Sequence, residues 1–164
     1  MCWFWLNSPV EKVMNKCFLG IFCLVFTSGG SVRHQTQQEI WLTKAGQILE
    51  KKVEKEIGKP LSKWSIEVKN LSGTKIGLCI WYPFSGYKIY ISPKLTESNK
   101  VLTVMLHELI HVGILNPRHG PKFRLLAIKL GIEDEPTYSI ASQTLINEFF
   151  EMLKILGPYP VSEE

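Results

Sequence analysis

The sequence predicts an α+β fold, a small three-stranded and mainly antiparallel sheet packed on helices. Three observations carry this. Apolar residues recur at three- and four-residue steps near both ends of the region beyond residue 34, short alternating stretches lie between positions 64 and 92, and an apolar run extends from Val101 to Leu115 with no Gly or Pro before Gly113. A length of 164 residues, 45% of them hydrophobic, suits one domain with a modest core.

The elements follow in order. Ile40, Trp41, Ala45, Ile48, Leu49, Val53 and Ile57 define an amphipathic helix over 35–57, ended by Gly58-Lys59-Pro60. Trp64, Ile66 and Val68 alternate with polar residues as a short strand. Ile76 to Tyr82 and Tyr87 to Ser92 read as two more strands, joined by the turn-forming Pro83-Phe84-Ser85-Gly86. Pro93 to Asn99 is a loop leading into the apolar helix, which should end near Asn116-Pro117 because proline disfavours helical backbone before it. Lys122 to Leu130 forms the next helix. A last helix is expected from Tyr138 to Leu156, with the acidic Glu133-Asp134-Glu135 ahead of its N-terminus and Gly157-Pro158 at its end.

Within the apolar run, residues 107–111 read His-Glu-Leu-Ile-His. Positions i and i+4 share one helix face, so His107 and His111 can aim imidazole nitrogens at one metal ion, with Glu108 beside it to take a proton from water. The competing reading is two surface histidines and a solvated carboxylate. The flanks oppose it: Leu102, Val104, Met105, Leu106, Leu109, Ile110, Val112, Ile114 and Leu115 leave almost no polar face. Three ionisable groups buried there without partners would cost several kcal/mol. Zn2+ is the expected metal, which needs a third protein ligand and an open position. His119 is the candidate, since a turn through Arg118 can bring His119-Gly120-Pro121, at the start of a second helix, back beside the first. The plain alternative makes His119 a cap or surface residue. The metzincin spacing fails, with Ile114 and Pro117 where its Gly and His would stand, and a downstream carboxylate ligand would have to be Glu133 or Glu135.

The run His-Glu-Leu-Ile-His-Val, then His119-Gly120-Pro121-Lys122-Phe123 and an amphipathic helix to Gly131, resembles the SprT-like metallopeptidase domain shared with Spartan-type proteases. Tyr87-Lys88-Ile89-Tyr90-Ile91-Ser92-Pro93-Lys94-Leu95 is similar to the strand and loop before the motif helix in that family. The resemblance covers roughly residues 40–135 and is specific at 107–123. It implies a zincin-like fold with the motif on a central helix, zinc on His107, His111 and His119, and Glu108 as catalytic base. Many members carry a C-terminal zinc ribbon with paired cysteines. No cysteine follows Cys79 here, so the nucleic-acid binding placed in such appendages is not implied.

Net charge is +4, and beyond residue 30 there are 17 Lys/Arg against 14 Asp/Glu, too weak a bias for a dedicated nucleic-acid binder. Arg118, Lys122, Arg124 and Lys129 cluster near the second helix, and a solvated helix face explains them more simply than a DNA contact. Cys2, Cys17, Cys23 and Cys79 give no disulfide framework. Residues 1–34 are set apart as a leader or apolar N-terminal segment. Cys17 to Phe26 is too short to span a bilayer but has the length of a signal h-region, which would mean secretion; misassigned sequence ahead of a cytoplasmic domain is the alternative. The folded unit is then 35–164, taken as a monomer.

The expected chemistry is hydrolysis of a protein or peptide substrate, with the peptide paired to an exposed strand edge, 76–82 or 87–92. Tyr138 and Arg118 are candidates for a second electrophile. Two other classes stand beside this: a zinc-stabilised protein- or DNA-associated module that hydrolyses nothing, and an exported metallohydrolase acting on a different bond.

Overall fold

The structure is a computed structural model that describes residues 33–116, 118–133 and 139–161. The leader expected over 1–34 lies outside these residues except for Arg33 and His34, and Glu135 and Tyr138 lie outside them too.

The first helix, α1 (Gln37–Ile57), starts at Thr36, whose hydroxyl accepts from the Glu39 amide while Glu39 accepts from the Thr36 amide. This reciprocal cap is written in the sequence as Thr-x-x-Glu. The second carboxylate oxygen of Glu39 accepts from the Val68 amide at 3.0 Å and so ties α1 to the end of the first strand.

Strands β1 (Trp64–Val68), β2 (Gly77–Tyr82) and β3 (Gly86–Ile91) form a sheet in the order β1-β3-β2. β2 pairs antiparallel with β3, but β1 pairs parallel with it, so the sheet is mixed rather than mainly antiparallel. The reason is burial. Ile89, Tyr90 and Ile91 make β3 the most enclosed strand, so it takes the centre, whereas β2 carries the exposed Trp81 and Tyr82 and takes an edge. With β3 between them, β1 meets a strand running its own way. Gly86 opens β3 at φ 83°, where any side chain would overlap the Lys63 carbonyl.

Registered rows Ile66–Ile89–Cys79 and Val68–Ile91–Gly77 face the helices. Against them lies α2 (Ser98–Ile114), the expected motif helix, with Leu102, Met105, Leu106, Leu109 and Ile110 fully buried. A helix apolar on every side belongs in a core, and each such side chain contributes about 1.5–3 kcal/mol by leaving water. It ends at Leu115, a non-glycine residue at φ 54°, a conformation that costs an L-residue about 1–2 kcal/mol.

The two remaining helices are α3 (Pro121–Lys129) and α4 (Gln143–Leu156). The last helix starts later than its apolar spacing suggests. Ser142 caps it, and the residues before it run extended, Ala141 bridging Ile132 and the Glu133 amide donating to the Ile140 carbonyl at 2.8 Å. Ala141, in phase with the helical stripe, is spent on this bridge, so Glu133, the described member of the acidic run, pairs here and not at the helix N-terminus. Tyr159, just beyond α4, packs edge-on to Trp41 of α1, whose indole N–H donates to the Gly157 carbonyl and closes the bundle.

Candidate metal centre

His107 and His111 lie one turn apart on α2 and point the same way, as the four-residue spacing requires. Asn116 then bends the chain back. Its side-chain oxygen accepts from the Arg118 amide at 2.9 Å, and Pro121 starts α3 behind Gly120, the residue that caps it. His119 is therefore not the cap. It projects to the two helical histidines, and the three Nε2 atoms stand 2.9, 3.0 and 3.2 Å apart.

This triangle is not a hydrogen-bond network. A ring nitrogen either donates or accepts, so among three atoms at least two share a role and one contact must be repulsive. A cation at the centre removes the conflict, since all three can present lone pairs to it. Ligands at about 2.0–2.1 Å from a tetrahedral zinc lie about 3.3 Å apart, a few tenths from what is found. The outward nitrogens agree. His111 Nδ1 lies 2.9 Å from the Asn116 carbonyl, which can only accept, so Nδ1 carries the proton and Nε2 the lone pair. His107 Nδ1 lies 2.8 Å from Ser139 Oγ, a partner that permits the same tautomer. The three histidines could hold a metal ion, and the donor set is compatible with zinc.

Phe123 of α3 forms a wall of the cluster, its ring centroid 4.7, 4.6 and 4.6 Å from those of His107, His111 and His119. Burial and the neighbouring imidazoles push His107 down to about 3, and burial also lowers His111 and His119. Neutral rings are the form in which imidazole binds a metal.

Glu108 is 5% exposed, and burial pushes its carboxyl up to about 8. It lies against β2 at Gly77, where even a methyl group would overlap its carboxylate and Val104. Cys79, two residues along, feels the carboxylate: burial first and Glu108 second push its thiol up to about 12. Gly77, Glu108 and the three histidines border one cavity of about 440 Å3.

The predicted His107, Glu108, His111 and His119 thus come together. Arg118 borders a neighbouring hollow with Lys122 and Phe123 instead, and Glu133 is not part of the cluster. Tyr138 lies outside the described residues. Reading the sequence alone misses Ser139 and Gly77. A glycine just ahead of an alternating strand is a usable sign of close backbone approach, whereas a lone serine gives no signal. Of the two candidate strand edges, β3 is excluded because it is paired on both sides; among the described residues the outer edge of β2 is free.

The sequence model of the SprT-like family matches residues 31–142, and the chain belongs to that family. Comparison with curated proteins and with solved structures gives no significant match. Among the described residues no helix is long and apolar enough to cross a membrane.

Proposed function

We propose that residues 35–164 of this SprT-like chain form a zinc-dependent metallopeptidase, with His107, His111 and His119 holding the metal and Glu108 as general base. The observation that carries the reading is the triangle of Nε2 atoms, none more than 3.2 Å from another, beside a buried carboxylate. A zinc ion bound there supplies Lewis acidity, making water acidic near neutral pH and polarising a peptide carbonyl.

The chain's own groups do the rest. Ser139 and the Asn116 carbonyl orient two of the imidazoles through their outer nitrogens. Glu108, held protonated by burial alone, becomes a base once positive charge stands beside it; it takes a proton from the attacking water and passes it to the leaving amine. The outer edge of β2, free among the described residues, borders the cavity and offers main-chain hydrogen bonds to an extended peptide without selecting its side chains.

A zinc-stabilised module that hydrolyses nothing would use the same three histidines. It would have no use for Glu108, whose burial opposes folding at neutral pH, and that cost favours the hydrolase. DNA association draws no support from the charge balance.

The test is hydrolysis of a denatured protein by the zinc-loaded full chain. Glu108→Gln is expected to keep one zinc per chain while the rate falls by about 10²–10⁴-fold. A variant cleaving at the wild-type rate would show that Glu108 is not the base.

A further inference from the structure

Beyond His111 the metal cavity continues into a second, larger hollow of about 650 Å3, and the two share Cys79 and His111. We infer that this hollow receives a large apolar side chain of the peptide substrate, on one of the residues at the amino-terminal side of the cleaved bond. The inference rests on the metallopeptidase reading and adds the specificity of that same site.

Three observations support it. The lining carries no Asp, Glu, Lys or Arg and is mostly apolar: Trp81 and Cys79 from β2, Tyr87 paired opposite Trp81 on β3, and Leu115 from the end of α2, with Ser62, Asn116 and the shared His111 as its polar members. Trp81 is 58% exposed and Leu115 is 55% exposed, so two large apolar side chains stand open beside the metal centre. Leu115 also sits in the left-handed conformation at a helix end where glycine is the ordinary residue; here a side chain is held at the mouth of the hollow instead.

The strand sets the direction. Antiparallel pairing is the more stable arrangement for an added strand, so the peptide runs from the Tyr82 end of β2 towards Gly77. Gly77 lies against Glu108, and Trp81 lies four residues away on the same face. A substrate residue opposite Trp81 therefore lies up to four positions ahead of the one opposite Gly77, on the amino-terminal side of the bond.

Cleavage positions mapped by mass spectrometry in a mixture of denatured proteins test this with the zinc-loaded full chain. At one fixed position among the four before the cut bond, Phe, Tyr, Leu or Met is expected at least about tenfold more often than Asp or Glu, since even one methylene in an apolar pocket discriminates by that order. Trp81→Ala should reduce the preference below about threefold with zinc content unchanged, and Trp81→Phe should retain it. A second measurement needs no hydrolysis: a benzyl-substituted hydroxamate should bind the zinc-loaded protein about tenfold or more tighter than acetohydroxamate, and Trp81→Ala should remove the difference. Cleavage without apolar preference before the bond, or a preference that Trp81→Ala leaves intact, overturns the subsite. Absence of all cleavage alongside the hydroxamate difference overturns the hydrolase and upholds the apolar pocket.

Discussion

The two halves of the histidine cluster are built by different means. His107 and His111 ride on α2, where a helix turn sets their spacing and a fully buried flank fixes their direction. His119 comes from the connection between α2 and α3, and it is placed by a bend at Asn116, a proline at the start of α3 and the Phe123 ring. The helical half belongs to the core whether or not a metal binds. The loop half borders the core, and what holds it there is tertiary. A ligand set can thus take its rigidity from one element and its closure from another.

Removing ligands breaks this comparison most sharply. His111→Ala and His119→Ala are both expected to abolish stoichiometric zinc, read by metal analysis. They should differ in the metal-free protein. His111→Ala removes a buried ring and leaves the Asn116 carbonyl without its donor, at about 2 kcal/mol or more, whereas His119→Ala should stay within about 0.5 kcal/mol of wild type. Equal destabilisation by both variants would mean that the loop half is as much a part of the core as the helix.

Stability against pH separates the groups further. In the metal-free protein His107 is held at about 3, so the unfolded chain binds more protons below its ordinary 6.5; stability is complete above that pH and erodes as pH falls towards 3. Glu108 has the opposite sign. Raised from 4.5 to about 8, it favours the folded state fully only below 4.5, and that contribution is lost as pH rises through 8, an effect of the order of a few kcal/mol. Glu108→Gln should therefore abolish the loss on the alkaline side and keep the acid one, measured as melting temperature against pH without metal. Superimposable profiles for variant and wild type would contradict the burial of the charge.

The smallest effect is expected from Ser139, which touches the cluster through His107 alone. Ser139→Ala should weaken zinc by about 10–100-fold in competition with a chelator while leaving the fold intact. Unchanged affinity would show that α2 orients His107 unaided.

Periodicity explains what could be read in advance. The spacing of Ile40 to Ile57 and the alternation at Trp64, Ile66 and Val68 returned α1 and β1 nearly to the residue, and the motif needed only a helix for two histidines to converge. Local pattern failed where a segment's partner is distant in sequence. Ala141 is in phase with a helix but bridges Ile132, and nothing in 64–68 indicates that β3 rather than β2 will lie beside it. Ser139 is the extreme case, because its role depends on a ring 32 positions away.

Among the described residues the outer margin of β2 is unpaired, and this has a consequence of its own. Main-chain amides and carbonyls presented along six residues accept any extended chain, a second copy of this protein included, and such margins are where β-rich proteins begin to stick together. Shortness limits the hazard, since few rungs can form. The margin proposed to take an extended substrate is thus also where copies of this molecule would first adhere.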